Sequence, residues 1–319
     1  MSTFYTAISI LIPLGYYLLI TGVAIRILYI RRSVPSVTAW LLVIFFLPFV
    51  GVIAYLLIGE LNIGKERIER AKTIWPRLNQ WLTDLKQKDY LFSESSSDVA
   101  RPIFQLCEHR QVLPPIKNNH LTIFTSFEQT YASIIQDISD AKSNIEMMFY
   151  ILHPQGLAEE VCQALILASR RGVRCRLILD SAGSRSFFSS KMHAQMQDAG
   201  IEIVEALKVS IIRAVFRRMD LRQHRKLIII DNAISYTGSM NMVDPRYFKQ
   251  ESGVGQWIDM MVRMEGYASS MLGIIYACDW ELETGEILAP TIPEKDSFDF
   301  DFAREHNSLR YTQQESSLL

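Results

Sequence analysis

Two long apolar runs stand at the head of the chain, residues 4–23 (FYTAISILIPLGYYLLITGV) and 38–59 (TAWLLVIFFLPFVGVIAYLLIG). Neither carries a charge, and each is long enough as a helix to cross a hydrocarbon layer roughly 30 Å thick. Arg26, Arg31 and Arg32, followed by Ser33 and Pro35, separate them and read as a short interfacial turn. Residues 1–60 are therefore expected to form a transmembrane hairpin. A cleaved leader is the poorer reading: no basic segment precedes the first run, no small-residue cleavage site is clear, and a second run follows. The basic turn argues for a cytoplasmic loop, while Lys65, Arg67, Arg70, Lys72 and Arg77 argue the reverse, so the pattern sets no orientation.

From 61 to 92 the apolar positions alternate with a Lys/Arg/Glu face. That suits an amphipathic helix broken near Pro76, either lying in the membrane interface with Trp75 and Trp81 at headgroup level or standing in solvent as a linker. The polar run SESSSD, residues 93–98, closes this 61–98 region. Beyond residue 99 the pattern alternates between helical and strand periods. Helices are expected over about 127–142, 157–171, 189–199 and 267–284, and strands over about 145–152, 173–180, 201–206 and 256–266. This βαβα rhythm with short connections predicts an α/β sandwich over residues 99–289. Residues 290–319 show no sustained periodicity and read as an irregular tail.

One stretch breaks the pattern. In HRKLIIIDNAISYTGSMN, residues 224–241, a nearly unbroken apolar run is flanked by His224 and Lys226 at its start and Gly238, Ser239 and Asn241 at its end. Side chains at i and i+2 of a strand share a face, so His224 and Lys226 point the same way if RKLIII is extended. With Asn232-Ala233 as a two-residue hairpin loop, Lys226 opposes Ser239 and His224 opposes Asn241, which gathers all four into one polar patch. Asp231 falls on the other parity and takes a supporting, charge-balancing role. Spacing alone equally allows an ordinary polar strand end. Upstream, Arg213, Arg217, Arg218, Arg222 and Arg225 crowd into RAVFRRMDLRQHRK, either as a site for an anionic headgroup or as a solvated face.

Composition narrows the chemistry. The formal charge of the 319 residues is −1, which gives no argument for nucleic-acid binding. Cys107, Cys162, Cys175 and Cys278 are scattered, and His120, His153 and His193 lie outside any ligand spacing, so neither a metal nor a cofactor is expected. An imidazole is a good nucleophile at neutral pH. A phosphodiester repels attack by its own charge, and Lys and Asn donors on its free oxygens offset that repulsion.

As a motif the stretch is HxKxxxxD, six residues, then GSxN: His224, Lys226, Asp231, Gly238, Ser239 and Asn241. It resembles the signature of the phospholipase D superfamily. The two apolar spans, the turn RRSVPSVTAWLL, and the segments CRLILDSAGS, VEALKV and NMVDPRYFKQ look like those of bacterial cardiolipin synthases, over residues 1 to about 290. The resemblance implies one repeat of a phospholipase D-like α/β/α sandwich behind a membrane hairpin, in a multi-pass protein of the bacterial inner membrane. It implies a catalytic set His224, Lys226 and Asp231, with Asn241, Ser239 and Gly238 supporting the phosphate; from the arginine cluster itself, Arg217, Arg218 and Arg222 are the headgroup candidates, a solvated face being the alternative. By the same analogy Glu251 pairs with the outer imidazole nitrogen. The implied reaction is phosphatidyl transfer between two phosphatidylglycerol molecules, giving cardiolipin and glycerol through a phosphatidyl-histidine.

The chain departs from that family in holding one HxKxxxxD. His306, in REHNSLRY, lacks the following Lys. The chain thus reads as an N-terminal half, truncated or frameshifted, whose second motif comes from a homodimer partner or a complementary chain. Two other readings stay open: a dimeric single-motif hydrolase or nuclease, and an inactive half-protein.

Overall fold

A computed structural model of the chain describes residues 2–30, 33–59, 65–88, 99, 101–111, 116–208, 222–253 and 255–288. The expected boundary at 93–98, the arginines of 209–221 and the tail 290–319 lie outside the described residues. Two compact units emerge, Met1–Ile68 with Val209–Arg222, and Glu69–Lys208 with Gln223–Leu319.

In the first unit, helix α1 (Ser2–Tyr29) holds one stretch, Leu11–Tyr29, long and apolar enough to cross a membrane. The second apolar run differs from expectation. It folds as α2 (Val34–Phe46), α3 (Pro48–Ala54) and a π-turn, Tyr55–Gly59, rather than as one helix over 38–59. Pro48 is the cause: a residue before proline is driven out of the α region, and Leu47 sits at φ −131°, ψ 65°. Val23, Ile27, Ile44, Val52 and Tyr55 form a small buried cluster, with Trp40 edge-on to Tyr55 at 5.4 Å. A Cβ on Gly51 would come within 2.9 Å of the Ile44 backbone, so only glycine lets α2 and α3 approach this closely.

Helix α4 (Lys65–Lys86), which enters the second unit at Glu69, runs on through Pro76 instead of breaking there. Its later turns are held from outside. Leu85 is fully buried with Tyr267, Met271 and Ile274, and Leu78 and Trp81 pack against the same cluster. Tertiary packing outweighs the local cost of the proline. The next elements are α5 (Arg101–Gln111), β1 (Asn119–Phe124), α6 (Phe127–Asp140), β2 (Asn144–Phe149), α7 (Leu157–Arg170) and β3 (Arg174–Asp180). They are followed by α8 (Arg185–Phe188), α9 (Lys191–Asp198), β4 (Glu202–Ala206), β5 (Leu227–Ile230), β6 (Ile234–Gly238), β7 (Met261–Gly266) and α10 (Tyr267–Thr284).

The strands make one seven-stranded sheet in the order β1-β7-β6-β5-β2-β3-β4. β2, β3 and β4 are parallel, joined by helical crossovers, and β5, β6, β7 and β1 continue antiparallel. Ile228 and Ile230 of β5 join the large core with Tyr131, Ile134, Leu165 and Phe187, while Leu227 and Ile229 join a second core with Tyr276 and Trp280 of α10. A central strand covered on both faces needs apolar side chains at every position, which accounts for the run LIII. The architecture is the expected α/β/α sandwich.

Candidate active site

The C-terminal ends of β2, β3 and β6 and the N-terminal ends of β5 and β7 converge at one edge of the sheet. His224 and Lys226 lie there, just ahead of β5. Lys226 Nζ is 2.8 Å from the His224 carbonyl oxygen, to which it donates, and 3.3 Å from His224 Nδ1. His224 is exposed, whereas Lys226 is only 8% exposed. Burial lowers the Lys226 pKa below the usual lysine value, and the nearby Asp259 carboxylate acts in the opposite sense. The His224 ring rests against that of Tyr150, centroids 4.5 Å apart at 39°, and Lys226 Nζ lies 6.0 Å from the same ring.

Asn241 is buried, and its Oδ1 accepts the Ile151 N–H at 3.2 Å. Its amide NH2 is the end left to donate. Main-chain bonds from Met242 N to Ile151 O and from His153 N to Met242 O run 241–242 alongside 151–153, next to Tyr150. The Ser239 hydroxyl donates to Asp259 at 2.7 Å and accepts the Met260 N–H at 3.0 Å. Gly238 is required by contact, since a Cβ there would stand 2.1 Å from the Met260 carbonyl oxygen.

The hairpin register differs from the expected one. Leu227 pairs with Thr237 and Ile230 with Ile234, so the loop is Asp231-Asn232-Ala233, three residues rather than two. Asp231 and Asn232 both adopt positive φ, 52° and 55°, a conformation that Asp and Asn tolerate better than most residues. The four polar residues therefore do not meet as directly opposed pairs. His224 and Lys226 touch each other, Ser239 connects through Asp259, and Asn241 connects through the backbone beside Tyr150.

Asp231 sits at the opposite end of β5 from His224. Its carboxylate accepts the backbone N–H groups of Lys142, Ser143 and Asn144 at 2.7–3.0 Å and the Ser143 hydroxyl at 2.7 Å. Burial raises its pKa, but these hydrogen bonds outweigh burial and hold it below the usual aspartate value. Glu251 lies in an exposed 3-10 turn, Gln250–Ser252, and no hydrogen bond or ion pair joins it to His224 among the described residues. Arg222 is half-buried in the first unit, and Arg217 and Arg218 lie outside the described residues. No cluster of three metal-ligating side chains occurs among the described residues.

Three residues beside the pair were not singled out from sequence. Tyr150 lay hidden inside the expected strand 145–152, which ends at Phe149. Asp259 fell within the expected strand 256–266, which begins only at Met261. Asp180 closes β3 and accepts the Gln223 N–H at 3.1 Å, one residue before His224. A strand ending in Asp and running into SAGS was the available signal.

Residues 134–259 match the family described as cardiolipin synthase, PLD-like domain, and residues 18–60 match the phospholipase D-nuclease N-terminal family. The chain belongs to the phospholipase D superfamily. Within it, the chain is 56% identical over 301 residues to cardiolipin synthase A of Yersinia pseudotuberculosis serotype O:1b (strain IP 31758), and equally to that of Yersinia pestis bv. Antiqua (strain Angola). The alignment covers 94% of this chain and 62% of each relative, so the chain spans under two thirds of the length of the relatives it matches. Among solved structures, Nuc from Salmonella typhimurium, a phospholipase D family member, aligns at 21% identity over 51% of this chain and 95% of its own, with a TM-score of 0.40.

Proposed function

We propose that the chain carries the nucleophilic half of a phosphatidyltransferase of cardiolipin-synthase type, working on phosphatidylglycerol in the bacterial inner membrane. The observation that carries this reading is the His224–Lys226 pair, an exposed imidazole with a partly desolvated ammonium group 3.3 Å from its Nδ1. Residues 1–60 would form a two-crossing anchor and residues 99–289 the catalytic half.

With Lys226 charged, Nδ1 can only accept, and the ring proton then sits on Nε2. A phosphate oxygen that draws the ammonium group away frees Nδ1 to carry the proton and Nε2 to attack. The His224 nitrogen then bonds to phosphorus as the P–O bond to glycerol breaks, and a general acid protonates the departing glycerol oxygen. The terminal hydroxyl of a second phosphatidylglycerol next gives its proton to the same group and displaces the histidine, forming cardiolipin. Lys226 and the Asn241 NH2 stabilise the charge on the free phosphoryl oxygens in both steps. The acid–base group would come from a second motif outside these 319 residues.

The test is reconstitution of the chain in vesicles of labelled phosphatidylglycerol. The expected products, with a second motif supplied as the acid–base group, are a phosphatidyl adduct on His224 with one glycerol released for each adduct, and then cardiolipin. His224→Ala is expected to abolish both. An unchanged rate in that variant would rule out the nucleophile, and phosphatidic acid as the sole product would replace transfer by hydrolysis.

A further inference from the structure

The loop that follows β3 touches both sides of the His224 ring's setting. Asp180 is fully buried, and its Oδ1 accepts the N–H groups of Ala182 and Gly183, at 2.9 and 3.0 Å, which closes the turn. Its Oδ2 takes the Gln223 N–H and so fixes the backbone that leads into His224. Four residues on, the equally buried Ser184 hydroxyl donates to the Tyr150 carbonyl oxygen at 3.0 Å and accepts the Leu152 N–H at 3.0 Å. Between them Gly183 packs on Tyr150 so closely that a Cβ would stand 2.2 Å from the Tyr150 carbonyl oxygen.

We infer that Asp180, Ser184 and Tyr150 are positioning residues for the nucleophile. The loop 180–184 sets the backbone of both His224 and Tyr150, and the Tyr150 ring backs one face of the imidazole. The physical reason is geometric. His224 lies outside any strand ladder, in residues 222–226, so the sheet does not hold it directly. An exposed imidazole on such a segment would sample many orientations. A ring packed against it at a tilt restricts that freedom, and in-line attack at phosphorus is sensitive to displacements of about 1 Å. The tyrosine hydroxyl has no part in this, so a phenylalanine serves as well. Asp180→Asn is a selective probe. It keeps an oxygen for the turn amides but sets an NH2 against the Gln223 N–H, donor against donor.

The inference rests on the proposed phosphatidyl transfer for its meaning, and two readouts on the full chain in phosphatidylglycerol vesicles separate the two. The first is formation of the His224 adduct. Tyr150→Leu and Asp180→Asn are expected to slow it about 10- to 100-fold at saturating lipid, with the half-saturating lipid concentration unchanged. Tyr150→Phe is expected to restore the wild-type rate. The second is carbethoxylation of His224 by diethyl pyrocarbonate, followed by peptide mass spectrometry, which needs no turnover. It is expected to quicken in Tyr150→Leu and Asp180→Asn and to match wild type in Tyr150→Phe. Equal carbethoxylation in Tyr150→Leu and wild type overturns the inference. No adduct in wild type even when a chain carrying a second motif is supplied, with the carbethoxylation pattern as expected, overturns the transfer reading and leaves the positioning role standing.

Discussion

The Ser239 hydroxyl donates to Asp259 at 2.7 Å, and the same carboxylate bears electrostatically on Lys226. Burial lowers the Lys226 pKa, and Asp259 offsets part of that effect. Asp259→Asn removes the offset while keeping an oxygen for Ser239 to bond. The expected result is a further drop in the Lys226 pKa, so the alkaline limb of His224 adduct formation moves to lower pH. A pH–rate profile of wild type and variant checks it. Superimposable alkaline limbs would show that Asp259 does not govern the ammonium group.

Asp231 belongs to the motif in sequence but not to the reacting edge in space. Four hydrogen bonds tie it to residues 142–144. Asp231→Ala removes the shared acceptor of three amides, of which those of Lys142 and Ser143 are open to water and that of Asn144 is partly buried, and is expected to cost about 1 kcal/mol of stability. Because its folded-state pKa is depressed, its contribution is present above the unfolded-state value and fades as pH falls through the folded-state value. Urea denaturation of the two proteins should therefore converge below about pH 4. Per folded molecule, carbethoxylation of His224 should be unchanged. A loss of His224 reactivity at full folding would return Asp231 to the reacting group.

Much of the second unit was legible because its helices and central strands have clean periods. The helix expected at 157–171 is Leu157–Arg170, and the strand expected at 173–180 is Arg174–Asp180. The edge strand β1 escaped notice. Asn119–Phe124 buries neither face fully, so its pattern carries little contrast. The hairpin register escaped for another reason. Asn232-Ala233 looks like a two-residue loop until Asp231 is seen to be drawn out of the strand by the amides of 142–144, a contact with residues nearly ninety positions away. His224 and Lys226 still come together, since proximity at i and i+2 survives a register shift. Tyr150 and Asp180 are brought to His224 by the sheet order alone, and no local pattern announces such a neighbour.

Gly238 opens GSxN for a steric reason. Its Cα faces Met261 in the neighbouring strand, and a Cβ would stand 2.1 Å from the Met260 carbonyl oxygen and 2.8 Å from the Met261 sulfur. The sulfur is able to move, but the backbone oxygen moves only if β7 moves. Gly238→Ala is thus expected to cost about 2–3 kcal/mol and to push Asp259 and Met260 away from Ser239. Thermal unfolding reads the first effect, and loss of protection at the Met260 N–H in hydrogen exchange reads the second. A variant as stable as wild type would mean that β7 yields freely here.

Glu146 in β2 offers a test remote from the reacting edge. It lies beside Arg174 and Arg176 in a polar cavity of about 310 Å³ that Asn144, Asn232 and Ser270 also line. Burial pushes its carboxyl up to about 7, against the pull of Arg176 and Arg174. The folded protein therefore holds a proton that the unfolded chain gives up at an ordinary glutamate pKa, and stability falls as pH rises through the interval between the two. Glu146→Gln keeps the shape and never ionises. Relative to wild type it is expected to gain about 3 kcal/mol as pH rises from about 4.5 to about 7, and nothing further above that. Urea denaturation across this range measures the difference directly. A difference independent of pH would mean that Glu146 is already ionised, with both arginines outweighing burial.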